Sequence, residues 1–220
     1  MNISCKELRE LVLKMSSIVE ASLNSSLNRE KTLEDVLSLE KKINEYHKII
    51  DDSCFKYIAL KSPNAKDLRT ALSIMKMNSD LERMGDQSLK IKRHFQSVNR
   101  EILQLKNMAL EVSLMVKNSL DSFVRSDIML AMDVIRSDQE INLLNKDIVR
   151  HYIDLIKNNE ISFDEGYAII KISKNLERIG DHAKNIAEDV IFLESGSDIR
   201  HSPELKQGKV PANSSGDKNE

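Results

Sequence analysis

Asn175-Leu176-Glu177-Arg178-Ile179-Gly180-Asp181-His182 is the stretch that decides the fold, because the chain nearly repeats it 95 positions earlier, at Ser79-Asp80-Leu81-Glu82-Arg83-Met84-Gly85-Asp86. Each copy contains Glu-x-x-x-Asp. On a helix that spacing stacks two carboxylates on one face, one turn apart, where like charges oppose each other by roughly 0.2–0.5 kcal/mol. Each pair therefore calls for a cation. Each copy also holds a glycine, Gly85 or Gly180, which costs a helix interior roughly 1 kcal/mol relative to alanine. Close helix packing or ligand access would explain that cost.

The repeat extends beyond the motif. Val36-x3-Glu40-x2-Ile43-Asn44 aligns with Val134-x3-Asp138-x2-Ile141-Asn142, 98 positions later. A unit of at least two helices is thus duplicated. Leu8, Leu11, Val12, Met15, Ile18, Val19 and Leu23 follow the i, i+3, i+4, i+7 spacing of an amphipathic helix. Thr32 is placed to cap a second helix and Ser62-Pro63 to open a third. A fourth helix runs from about Leu103 to Phe123, and a fifth starts near Asp127. Ser162-x-x-Glu165 reads as a capping box opening the sixth, which ends near Ser195-Gly196. The fold class is all-α: six long helices as two tandem three-helix bundles. The first repeat covers residues 1–96 and the second 97–195. No Gly or Pro breaks 96–101, so helices three and four are expected to run on with only a bend. The segment 196–220 reads as a disordered polar tail.

Composition agrees. Hydrophobic residues are 40% and charged residues 31%, with no Trp and few Gly or Pro, which suits helix-on-helix packing. A net charge of −2 gives nucleic-acid binding no electrostatic support. No apolar run approaches the roughly 20 residues that cross a bilayer. The first ten residues have no apolar signal-peptide core, so a cytoplasmic protein is expected. Cys5 and Cys54 are far apart in sequence and form no metal or redox motif.

On a helical wheel Glu177, Asp181 and Glu188 share one face, with Asn185 at its edge, and Glu82 and Asp86 share a stripe with Met75 and Leu68. If second and third helices of each repeat are neighbours, Glu40 and Asn44 join the first set, and Asp138 and Asn142 the second. His47, Asp51 and Asn145 lie on the same faces. Carboxylate and amide oxygens suit hard or borderline metal ions. The alternative is ion pairing: Lys174 and Lys184 stand near Glu177 and Asp181, and Lys90 lies four residues after Asp86. His182 points away from Asp181 and reads as a surface residue or an outer partner of a ligand. No phosphate loop and no nucleophile motif appears.

Together these residues resemble the PhoU family. Pro63-x-Ala65-x-Asp67-Leu68-Arg69 looks like that family's opening of the third helix. Leu81 to Asp86 and Leu176 to Glu188 look like its paired metal motifs, and Glu40-x2-Ile43-Asn44 and Asp138-x2-Ile141-Asn142 match its second-helix motif. The likeness covers about residues 5–194. It implies divalent or trivalent metal ions (iron, Mn, Mg or Zn) on the carboxylate faces and a homodimer or higher oligomer. It implies a regulator of phosphate uptake and starvation signalling, not an enzyme. Its partners would be the ATPase of a phosphate ABC transporter and a phosphate-sensor histidine kinase, with the membrane reached only through them. The competing readings are a metal-binding bundle with a hydrolase or metal-storage role, and a plain helical scaffold. One departure from the family pattern matters: Lys90 and Arg93 stand where the second repeat has Asn185 and Glu188. They would neutralise Glu82 and Asp86, so the second repeat is expected to hold metal better.

Overall fold

A computed structural model describes residues 4–196. The tail assigned to 196–220 lies outside them except for Gly196. Six helices form: α1 (Cys5–Ser26), α2 (Leu33–Lys61), α3 (Ala65–Phe95), α4 (Leu103–Arg125), α5 (Ile128–Lys157) and α6 (Phe163–Ser195), with no strand among the described residues.

Local signals set most of the ends. The Thr32 hydroxyl accepts from Asp35 N, and the Asp35 carboxylate accepts from Thr32 N in return, a complete capping box. Asp127 caps α5 and Ser162 caps α6. Gly196 closes α6 at φ 74°, in the left-handed region where the missing Cβ avoids strain.

The start of α3 differs from the sequence expectation. Ser62 is the left-handed C-cap of α2, at φ 42°, and Asn64 is the N-cap, its side-chain oxygen accepting from the N–H groups of Lys66 and Asp67. Proline cannot prolong α2, so Pro63 enforces the break. Asn64 satisfies two otherwise orphaned donors. The expected continuity of α3 into α4 is also overturned. Residues 96–102 form a loop held by tertiary contacts: Arg29 donates to the carbonyls of Val98 (3.1 Å) and Arg100 (2.8 Å), and Asn99 N donates to the Glu165 carboxylate (3.2 Å). Glu165 therefore does not complete the expected capping box, and only the Ser162 hydroxyl does its share.

In space the repeats lie side by side. α1 packs on α2 and α3, α4 on α5 and α6, and the long helices α3 and α6 pack against each other. They run antiparallel: Arg69 at the start of α3 meets Gly196 at the end of α6, and His94 near the end of α3 meets Tyr167 near the start of α6. The result is a row α2–α3–α6–α5 over the pair α1 and α4. Met77, Leu81 and Met84 of α3 and Ile172, Leu176 and Ile179 of α6 are fully buried in one apolar core common to both repeats. The Glu-x-x-x-Asp stripes therefore lie on faces of α3 and α6 that the core does not claim, each beside the second helix of its own repeat.

Candidate functional site

In the second repeat, α5 and α6 bring the expected groups together. Asp138, whose side chain is 9% exposed, accepts a hydrogen bond from Lys184 Nζ of α6 at 2.9 Å and one from Asn142 Nδ2 at 3.1 Å. Lower on the same seam Ser173 donates to Asn145 Oδ1 at 2.8 Å. Lys174 forms an ion pair with Glu177 through Oε2, the buried oxygen of that carboxylate. Asp181 stands at the exposed rim. Its carboxyl is pushed above its ordinary range by burial first, then by the charges of Asp138 and Glu177, against the opposing pull of Lys184 and Lys174. Burial alone would lower the Lys184 ammonium, but the hydrogen bond to Asp138 and the charges of Asp138, Glu188 and Asp181 outweigh it and raise the pKa. Asp138 and Glu177 thus crowd Asp181 as an anionic group with Lys174 and Lys184 set among them, and Glu188 acts on Lys184.

The first repeat is arranged differently. On α2, Asn44 Nδ2 donates to Glu40 Oε1 at 2.6 Å, and Asp51 accepts from Asn78 Nδ2 of α3 at 2.8 Å. His47 Nε2 lies 3.7 Å from Asp51. Glu82 and Asp86 are half-buried. Among the described residues neither forms an ion pair, and Lys90 and Arg93 pair with neither. The expected cation difference between repeats is therefore inverted: lysines sit on the carboxylates of the second repeat, not the first. Lys184 also binds Asp138 rather than Asp181, because its stem carries the ammonium across the α5–α6 seam.

The residues at these positions can be tested as metal ligands by their chemistry. Among the described residues no three His, Cys, Asp or Glu side chains converge as a metal cluster. The donor set nevertheless fits a hard cation. It offers the carboxylates of Asp138, Glu177 and Asp181 in electrostatic contact, the buried Glu177 oxygen being matched by Lys174. The Lys184 ammonium now supplies the positive charge that a cation would supply. Asp138, Asn142, Glu177, Asp181 and Glu188 would be the ligand pool in the second repeat, and Glu40, Asn44, Glu82 and Asp86 in the first.

Three contacts were not legible in the sequence. His182 Nδ1 lies 2.8 Å from Asp80 Oδ1, and Asn185 Nδ2 donates to the same oxygen at 3.1 Å, so α6 grips α3 across the inter-repeat seam. Lys76 reaches Asp189 at 3.3 Å along the same seam. Only an antiparallel α3–α6 register, which no local pattern reports, could have linked these residues. Cys54 is buried, and burial, then the charges of Asp51 and Cys5, push its thiol up to about 12; at neutral pH it is an inert core thiol.

The family model described as PhoU domain matches residues 6–94 and again 105–190. The chain is 32% identical over 211 residues to the phosphate-specific transport system accessory protein PhoU homolog of Pseudomonas putida, covering 91% of this chain and 82% of that protein. It is 28% identical over 227 residues to the accessory protein PhoU of Escherichia coli K12, covering 99% and 94%. The crystal structure of PhoU from Pseudomonas aeruginosa superposes with a TM-score of 0.83 at 31% identity, over 87% of this chain and 97% of that one. That of the phosphate transport system regulatory protein PhoU from Streptococcus pneumoniae gives 0.81 at 26% identity, over 88% and 96%.

Proposed function

The chain belongs to the PhoU family, and from that premise we propose that it restrains phosphate uptake and phosphate-starvation signalling by protein–protein contact rather than by catalysis. The observation that carries this reading is the match of both halves to the PhoU domain, together with relatives named as phosphate transport accessory proteins over nearly their full lengths. The partners proposed are the ATPase of a phosphate ABC transporter and the cytoplasmic part of a phosphate-sensor histidine kinase. Among the described residues no helix is long and apolar enough to cross a membrane, which accords with a cytoplasmic protein that meets the membrane through those partners. Self-association as a dimer is part of the same proposal.

The carboxylate faces support a second element of the reading, that the protein holds divalent or trivalent metal ions, iron, Mn, Mg or Zn. What favours it is the anionic crowding around Asp181. A metal-storage or hydrolase role would share those ligands. Hydrolysis would also need a base aimed at an open metal position.

The test is genetic and physical. Deleting the gene should leave a starvation-responsive reporter active in phosphate-replete medium and raise phosphate uptake. The purified protein should retain the transporter ATPase and the kinase's cytoplasmic domain, both from the same organism, in a pull-down. A reporter that stays silent in the deletion strain, with no retention of either protein, would overturn the regulatory reading.

A further inference from the structure

Where the end of α1 faces the start of α4, the two helices leave a cleft of about 400 Å³. Its walls are apolar: Leu23 of α1 and Leu27 just beyond its end, Phe95 at the end of α3, and Ile102, Leu105 and Leu110 at and along α4. Its polar end carries Arg29, Lys106 and Glu101. Lys106 and Glu101 pair with each other at 2.9 Å and the Arg29 charge also acts on Glu101, so this end holds two cations against one carboxylate. The Arg29 guanidinium donates to two backbone carbonyls and lies 5.0 Å from the centre of the Phe95 ring. Among the described residues it pairs with no carboxylate. The guanidinium is thus held in place at the mouth, where the three charged groups leave a net positive charge. The first turn of α4 adds to the local potential, having no acidic residue and no side-chain cap. None of these residues belongs to the carboxylate faces.

A mostly apolar cavity of this size with one fixed charge at its edge is the usual form of a small-molecule site. We propose that this cleft binds a free medium-chain carboxylate, the chain lying against Leu23, Leu27, Phe95 and Leu110 and the carboxylate pairing with Arg29. Charge complementarity selects the occupant. The apolar walls alone would accept any hydrocarbon, whereas the net positive charge favours an anion, and the Arg29 N–H groups not spent on Val98 and Arg100 are donors for a carboxylate.

The proposal does not depend on the regulatory reading, and its test uses the purified full chain with decanoate as probe. Binding is followed by calorimetry below the micelle concentration, with decanol as the uncharged control. Decanoate is expected to bind with one-to-one stoichiometry and decanol about tenfold more weakly. Arg29→Gln should bring decanoate down to the level of decanol, and Arg29→Lys should restore part of the difference. Because Arg29 also holds the 96–102 loop, thermal melts accompany each variant. Ala109→Phe, which leaves Arg29 in place and fills the cleft, should abolish binding of both ligands. Absence of decanoate binding to the unmodified protein overturns the proposal. So does equal binding of decanol, or decanoate binding that survives Ala109→Phe.

Discussion

Ile43 fills the space that a side chain on Gly85 would need. A Cβ at Gly85 would lie 2.7 Å from Ile43 Cδ1 and 3.3 Å from its Cγ2, and Ile43 is fully buried. The matching pair in the second repeat, Ile141 and Gly180, is looser, with the nearest atom, Ile141 Cγ2, at 3.5 Å. The same two motif positions thus hold α2 to α3 and α5 to α6, at different closeness.

The difference has opposite consequences for alanine. At Gly180 the new methyl meets ordinary contact distances, so Gly180→Ala should gain up to about 1 kcal/mol of helix propensity. At Gly85 the methyl must displace a packed isoleucine, and overpacking of a core costs about 1–3 kcal/mol, more than the propensity gain. Gly85→Ala should therefore be destabilising by about 1 kcal/mol, roughly 2–4 °C in a chain of this size. Urea and thermal unfolding of both variants decide it. Equal effects at the two sites would show that the α2–α3 contact relaxes freely.

Asp80 and His182 tie the repeats together, and both side chains are mostly buried, at 14% and 17% exposure. A hydrogen bond in that setting is worth about 0.5–1.5 kcal/mol net. A double-mutant cycle with Asp80→Ala and His182→Ala should return a coupling energy in that range. Additive effects would mean the contact contributes nothing to stability.

These two cases separate what the sequence discloses from what it hides. Ile43 and Gly85 recur as Ile141 and Gly180 at nearly constant spacing, so the duplicated helices and their glycines are visible in the chain alone. The carboxylate faces are visible for the same reason, since helical periodicity fixes which side chains share a stripe. The inter-repeat register is not, because Asp80 and His182 meet only once α3 and α6 pack antiparallel. Glu165 carries a valid capping-box pattern yet turns to Asn99 and Arg100 of the neighbouring loop, a tertiary partner outweighing a local one. Ser62 and Asn64 are both legitimate cap residues, and the choice between them rests on where Pro63 stops α2. Lys174 pairs with Glu177 within one turn, as helical spacing implies, whereas Lys184 reaches Asp138 instead of Asp181 because a lysine stem spans a helix seam as easily as it spans one turn.

Asp181 should make the metal-free protein less stable at neutral pH. Its folded pKa is raised above the ordinary value of 3.8, so the folded state holds the proton more tightly than the unfolded chain. That contribution to stability is fully present below about pH 3.8 and is lost as pH rises through the folded value. Above it the ionised group faces Asp138 and Glu177 at a cost. In chelator, Asp181→Asn is therefore expected to unfold at higher urea than the unmodified protein at pH 7, with the gap closing toward pH 4. A variant less stable than the parent at pH 7 would show that the Asp181 charge is favourable where it stands.

Metal affinity should respond to the lysines before it responds to the carboxylate count. In the second repeat Lys184 binds Asp138 and Lys174 binds Glu177, so an entering cation must displace fixed positive charge. Two unit charges about 4 Å apart near a protein surface interact by up to about 4 kcal/mol, enough to dominate the choice between otherwise similar ligand sets. Glu82 and Asp86 of the first repeat face no such competitor. Under equal Mn²⁺ supply, Glu82→Ala/Asp86→Ala should then lose at least as much bound metal as Glu177→Ala/Asp181→Ala, the reverse of the order that the bare sequence suggests. Replacing Lys184 by Gln keeps a hydrogen-bond donor for Asp138 while removing the charge, and should tighten Mn²⁺ binding at the second repeat by about tenfold or more. Elemental analysis of protein purified without a metal-affinity step gives the occupancies, and calorimetric titration of chelator-treated protein gives the affinities. If Lys184→Gln leaves Mn²⁺ affinity unchanged, the ammonium is not in competition with the cation and the second-repeat carboxylates are not its ligands. If the unmodified protein takes up no Mn²⁺, iron, Mg²⁺ or Zn²⁺ at either repeat, the carboxylate faces serve as ion-pair partners alone and the metal element of the proposed function fails.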